Sequence, residues 1–274
     1  MDVALHMETA LANRLAASVR VADPDRYFST LFAPAPLRPC LFALYALNAE
    51  LARIAQTVRE PMLGAIRLQW WRETVEGAAK DGPRNHDVAK GLAVLFARTS
   101  LAQADLEALI AARDFDFSAD RFANFADLEN YIDATGGAVM RLAAQILGGN
   151  PALAAEAARA YGLAGLLRSL GFHNSRHKLY LPLDLLSALH VTPEEFFHLE
   201  KDDPRLAAAM RQVSLKARDY FLAARAAPKP GPALAAILPA ALVPVYLRRL
   251  PTGRDVPIHR RQMALLSAAM RRRL

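Results

Sequence analysis

Four times along the chain, a side chain able to cap a helix stands directly before a proline: Asp23-Pro24, Asn150-Pro151, Thr192-Pro193 and Asp203-Pro204. The capping oxygen accepts from the free amides of a first helical turn, and proline, with no amide to satisfy, fits the opening position of that turn. Each pair therefore marks a helix start. Thr192-Pro193-Glu194-Glu195 extends the signal to a capping box, with Glu195 reaching back to the Thr192 amide. Gly148-Gly149 supplies a stop, because glycine enters the left-handed conformation that often follows a helix. Between these marks apolar residues recur at helical spacing: Leu37, Leu41, Leu44, Leu51 and Val58 on one stripe, and Leu128, Ile132, Val139, Leu142 and Ile146 on another. No segment sustains the two-residue alternation of a half-buried strand. The Lys178–Leu181 run is expected to be extended, because Pro182 disfavours helix at Leu181. The chain shows no internal repeat, and the Pro-rich stretch at 226–232 is too short for a domain linker. The prediction is an all-α fold, a single multi-helix domain over residues 1–274.

Composition narrows the function classes. With 53% hydrophobic and 22% charged residues, the 274-residue chain can bury a large core. A formal net charge of +7 favours an acidic partner: nucleic acid, an anionic membrane, a diphosphate or an acidic protein. No nucleic-acid motif is present, so nucleic acid is not expected. The single cysteine, Cys40, permits neither an intrachain disulfide nor a cysteine metal cluster, which suits a reducing compartment. The N-terminus carries Asp2 where a signal peptide needs basic residues. The longest apolar stretch, Ala233 to Leu247, is broken by Pro239 and Pro244 and falls short of the ~20 residues that span a bilayer. A cytoplasmic protein, peripheral on the inner face of a membrane, is the expectation.

Two segments carry the functional signal. One is Ala43-Leu44-Tyr45-Ala46-Leu47-Asn48-Ala49-Glu50-Leu51-Ala52-Arg53-Ile54-Ala55-Gln56; the other runs from Gly162 through Arg168, Ser169, His173, Arg176, Lys178 and Tyr180 to Pro182. The pair resembles the squalene/phytoene synthase family of head-to-head prenyl transferases. There the first helix reads roughly A-L-Y-A-F-C-R-x-x-D-D-x-x-D and the second N-x-L-R-D-x-x-x-D-x-x-R-G-R-x-Y-L-P. Asp25-Arg26-Tyr27 and the segment Leu128 to Gly148, similar to the family's E-L-x-x-Y helix, extend the likeness over most of the chain. The resemblance implies an isoprenoid (terpenoid) synthase-like fold around a central cavity. Residues four apart stand one above the other on a helix, so two facing helices can aim several carboxylates at magnesium ions that neutralise a diphosphate.

Those carboxylates are replaced. Ala52, Arg53 and Gln56 stand against D-D-x-x-D, and Ser169 and His173 against D-x-x-x-D. Tyr45, Ala49, Ala52, Arg53, Gln56, Ser169 and His173 are thus expected to line the cavity as degenerate motif positions, with no catalytic residue and no metal. Asn48–Ala52, Ile66–Glu76, Phe172–Lys178 and Tyr180–Asp184 resemble a divergent branch of the superfamily that includes complex I assembly factor 6. That likeness implies a role in early assembly of the respiratory NADH dehydrogenase. The partners implied are a complex I subunit or assembly intermediate, an anionic membrane surface, or an isoprenoid-like lipid, with no cofactor. The alternatives are a magnesium-dependent prenyl transferase whose acids have moved, to Glu73 and Glu76 or to Asp114 and Asp116, and a lipid-binding module.

Other features divide between a site and ordinary structure. Arg168, Arg176, Lys178 and Tyr180 form a basic cluster that suits an oxyanion, or else a solvated helix end. His173 and His177 have a zinc-like spacing but no third ligand in register. Asn48 and Glu50 fit either a remnant pocket or ordinary partners. Of Trp70 and Trp71, one is expected in the core and one in a groove. At the C-terminus Met263, Leu266, Met270 and Leu274 share a helical face beside Arg260, Arg261 and Arg271–Arg273, which reads as a basic amphipathic helix or as plain packing.

Overall fold

The computed structural model describes residues 2–58, 60–80, 82–200, 202–250 and 253–274, with side chains from residue 9 onward. No strand occurs among the described residues. The helices are α1 (Asp2–Ala22), α2 (Pro24–Thr30), α3 (Arg38–Thr57), α4 (Pro61–Ala79), α5 (Asp87–Arg98), α6 (Gln103–Ala111), α7 (Phe125–Ile132) and α8 (Ala138–Ile146). They continue as α9 (Ala155–Arg168), α10 (Leu170–Asn174), α11 (Leu183–Ala188), α12 (Pro193–Phe196), α13 (Pro204–Ala226), α14 (Leu234–Ile237), α15 (Val243–Arg249) and α16 (Ile258–Arg271).

The four cap–proline pairs act as their chemistry requires. Asp23, Asn150, Thr192 and Asp203 each accept from an amide of the turn that follows, and the Glu195 carboxylate returns to the Thr192 amide at 2.8 Å. Gly148 stops α8 with φ of 70°, the left-handed region that glycine enters freely. The first stripe is buried along α3, where Leu41, Leu44 and Leu51 are inaccessible, while Leu37 and Val58 lie just beyond its ends.

Three expectations need correction. The second stripe does not ride one helix: α7 and α8 are separated by a π turn, Asp133–Gly137, although all five apolar residues are buried. Within the inserted turn the half-buried Asp133 forms an ion pair with Arg159 of α9 at 2.6 Å, and turns of this kind cluster at functional sites. The second motif segment is broken as well. Here α9 ends at Arg168, α10 follows Ser169, and Ser175 to Pro182 is non-helical, as Pro182 predicts for the last residues. Leu274 leaves the stripe of α16, because Arg272 takes a left-handed φ of 52° and turns the last residue into the core.

Two apolar clusters frame the site. The larger joins α1, α3, α5, α6, α8 and α14; the second joins α7, α9, α11 and α13 around Leu128, Leu163, Leu181 and Val213. By length and composition alone residues 231–249 could cross a membrane. Here that stretch is a run of short helical pieces with Ile237, Leu238, Leu242, Val243 and Tyr246 buried inside the protein. Burial at about 25 cal/mol per Å² gives such side chains a reason to stay in this core.

Candidate functional site

Between α3 and the non-helical segment after α10 lies a buried polar cluster centred on Asp116, in the 3-10 turn Ala112–Phe117. Gly64 of α4 holds that turn in place. A Cβ there would stand 2.3 Å from the Phe117 ring, so only glycine lets the ring lie against the helix. Tyr131 of α7 and Tyr180 each donate a phenolic hydrogen to Asp116 Oδ1, at 2.6 and 2.8 Å. Lys178 Nζ donates to the Asp116 carbonyl at 2.7 Å. Arg113 stands 3.6 Å from Asp116 Oδ2 and donates to Asn48 Oδ1 of α3 at 3.0 Å. Asn48 is therefore a partnered polar residue that ties α3 to the cluster.

The electrostatics follow from burial. It raises the Tyr131 and Tyr180 phenols well above their ordinary value, and the neighbouring carboxylate adds to the effect at both. Both hydroxyls therefore stay protonated and keep donating. His173, at a second-motif position, lies with its ring tilted against Tyr180 at 4.6 Å between centroids, and burial lowers its pKa from 6.5. His177 parts from it, taking φ of 53° and resting on Phe197 at 5.1 Å. Among the described residues no group of three or more His, Cys, Asp and Glu side chains is placed to share a metal ion.

The other predicted residues fall in three places. Tyr45 is fully buried in α3 with the Arg26 guanidinium over its ring at 5.7 Å; Ala49 and Ala52 are half-buried; Gln56 is exposed. Arg53 is exposed, pairs with Glu50, and lines a hollow of about 180 Å³ with Arg67, Trp70, Trp71 and His86. Trp71 is core and Trp70 is at the hollow, the division expected from sequence. Ser169 is half-buried at the α9–α10 joint, where its carbonyl accepts from the His173 amide at 2.9 Å.

The four candidate anion ligands do not converge. Arg176 lies over Phe172 at the surface, whereas Lys178 and Tyr180 are committed to Asp116. Arg168, itself exposed, reaches a second cluster, around the buried Asp25 of α2. Its guanidinium lies 3.8 Å over the Tyr246 ring and 4.0 Å from Asp25. Asp25 also accepts from Tyr161, Tyr246 and Arg261. Sequence reasoning missed the partnership of Tyr131 and Arg113 with Asp116; the E-L-x-x-Y likeness, which ends at Tyr131, was the available signal. A hollow of about 270 Å³ reaches the Asp116 cluster past Ser118, Arg121, Lys178 and Phe197.

A magnesium–diphosphate pair needs several free carboxylate oxygens in octahedral array. The residues present do not fit that requirement. Asp116 is the one buried acid in this cluster, and phenol, ammonium and guanidinium donors surround it. The relocated acids are each paired too: Glu73 with Arg84, Glu76 with Lys80, Asp114 with Arg72. A dication brought here would meet positive charge before it met an available ligand.

Comparison with known proteins agrees with this architecture. The squalene/phytoene synthase family matches residues 19–267, and the chain belongs to that family. It is similar to human NADH dehydrogenase (ubiquinone) complex I, assembly factor 6, with 32% identity over 67% of this chain and 56% of the relative. The chain thus spans little more than half the length of that relative. It is also similar to presqualene diphosphate synthase of Rhodopseudomonas palustris, with 28% identity over 76% of this chain and 69% of the relative. A crystal structure of a dehydrosqualene synthase shares the fold at TM-score 0.79 and 15% identity, covering 97% of both chains. The all-α isoprenoid synthase-like fold is thereby shown.

Proposed function

We propose that the chain acts as one domain of a catalytically degenerate squalene/phytoene synthase-like protein, serving the assembly of respiratory complex I at the membrane. The carrying observation is the Asp116 cluster: beside motif segments that have lost their carboxylates, the one buried acid accepts from two phenols and stands near an arginine, while a lysine holds its backbone carbonyl. Such a cluster is structural, because both phenols and the Lys178 ammonium are bonded within the protein. The similarity to the human assembly factor supports the partner, a complex I subunit or assembly intermediate. The protein works without magnesium.

The test is deletion in the source organism followed by complementation. Loss of assembled NADH dehydrogenase, restored by the wild-type chain, is the expected result; normal assembly in the deletion strain overturns the role. The similarity to presqualene diphosphate synthase favours a second reading, an active prenyl transferase. It predicts release of inorganic diphosphate from an allylic diphosphate, a result that the first reading forbids.

A further inference from the structure

Helix α16 has two faces of opposite use. Leu265 and Ala268 are buried against residues 238–246, while Arg261 reaches inward to Asp25 at 3.0 Å. The other face bears Met263, Leu266 and Met270 to solvent, with Met270 77% exposed and Met263 62%. Spacings of three, four and seven put these three on one stripe. Beside the stripe stand Arg260 and Arg271, both exposed, and Arg272 follows at the helix end. No acidic residue occurs after Asp255.

The fold explains only part of this charge. Arginine in a last turn complements the helix dipole, so Arg271 has a local reason. Arg260 sits in the first turn, where the dipole disfavours a cation, and no acid accompanies it there. The chain end adds to the charge. Arg273 donates from Nε and Nη2 to the Arg225 carbonyl in the last turn of α13, at 3.0 and 2.6 Å. The Arg273 guanidinium is thereby fixed to the backbone at the end of α13, where the exposed Arg225 also stands. The exposed stripe of α4, Met62, Leu63, Ile66 and Trp70, differs in having Glu60 and Glu73 beside it. Mixed charge is ordinary for a protein contact; an apolar stripe on a convex helix edged by arginine alone matches anionic headgroups above acyl chains.

We propose that the outward face of α16, with the adjoining end of α13, binds an anionic phospholipid bilayer. The methionines and Leu266 enter the acyl boundary, and Arg260, Arg271, Arg272 and Arg225 meet lipid phosphates. The inference rests on the proposed assembly role only for the place where that membrane is found. Its test needs no respiratory complex.

The full chain is sedimented with vesicles of phosphatidylcholine alone and of phosphatidylcholine mixed with phosphatidylglycerol. Binding is expected only to the mixed vesicles, weakening as salt rises. M263E/M270E and R260E/R271E/R272E should each lower the partition coefficient about tenfold or more, with circular dichroism unchanged. I66E on α4 should bind as the wild type does. No wild-type binding, equal binding to neutral vesicles, or an equal loss from I66E overturns the proposal. So does unchanged vesicle binding by the α16 variants if these fail in complementation, since that outcome assigns the face to an acidic protein. Vesicle binding by a chain whose deletion leaves NADH dehydrogenase normal refutes only the assembly role.

Discussion

Asp25 and Asp116 solve the same problem with nearly the same partners, at opposite ends of the molecule's logic. Each is a buried carboxylate that accepts from two tyrosine hydroxyls and stands near arginine. The partners of Asp25 come from 136, 221 and 236 residues further along the chain. That cluster closes α2 onto α9, α15 and α16, and so joins the two ends of the fold. The tyrosines of Asp116 lie 15 and 64 residues away, and its cluster fills the space beside the motif-bearing α3. A buried carboxylate is therefore not a metal ligand by virtue of burial. Its neighbours decide: oxygens around it invite a cation, and hydrogen-bond donors replace one.

The largest test of this comparison is removal of the acids. Asp25→Ala strands the Arg261 guanidinium and two phenols in the interior, and should lower stability in urea denaturation by about 4 kcal/mol, the range for a broken buried ion pair. Asp116→Ala should cost less, about 2–3 kcal/mol, because its arginine stands 3.6 Å away, beyond hydrogen-bond distance, whereas Arg261 donates to Asp25 at 3.0 Å. A reversed order would break the assignment of Asp25 as the tie that closes the fold.

A smaller effect sharpens the second cluster. Burial lowers the folded pKa of His173 below its unfolded 6.5. Between those two values the unfolded chain binds more protons, so this histidine's contribution is complete above about pH 6.5 and is lost as pH falls below it. Thermal melting of His173→Gln between pH 7 and 5 should show a shallower acid loss than the wild type. An unchanged slope would mean that the ring is not held against Tyr180. Smallest of all, Arg53→Ala breaks an exposed pair with Glu50 and should alter stability by no more than about 0.5 kcal/mol. A larger loss would show that the first-motif position still supports the fold.

Local chemistry was legible wherever one residue and its neighbours decide the outcome. The four cap–proline pairs, the capping box at Thr192 and the Gly148 stop need only short-range hydrogen bonds and φ preferences, and each appears as read. The π turn between Ile132 and Ala138 was hidden, because the apolar spacing across it fits a continuous helix almost as well. The loss of motif acids at Ala52, Arg53, Gln56, Ser169 and His173 was plain in the sequence. What replaced them was not. Asn48, Arg113, Asp116, Tyr131 and Tyr180 meet only through tertiary packing, and no spacing rule links five positions on separate segments. Arg168 shows the same limit in reverse. Near Arg176 in sequence, it is drawn to Asp25 by a buried carboxylate more than a hundred residues earlier.

The central claim is that the two motif segments, with Ala52, Arg53, Gln56, Ser169 and His173 in place of carboxylates, hold no metal-bound diphosphate. Its most direct test is incubation of the purified chain with farnesyl or geranylgeranyl diphosphate and magnesium, measuring released inorganic diphosphate. Release no faster than in the protein-free control is the predicted result. Sustained magnesium-dependent release, abolished by Asp116→Asn or Glu73→Gln, would contradict it.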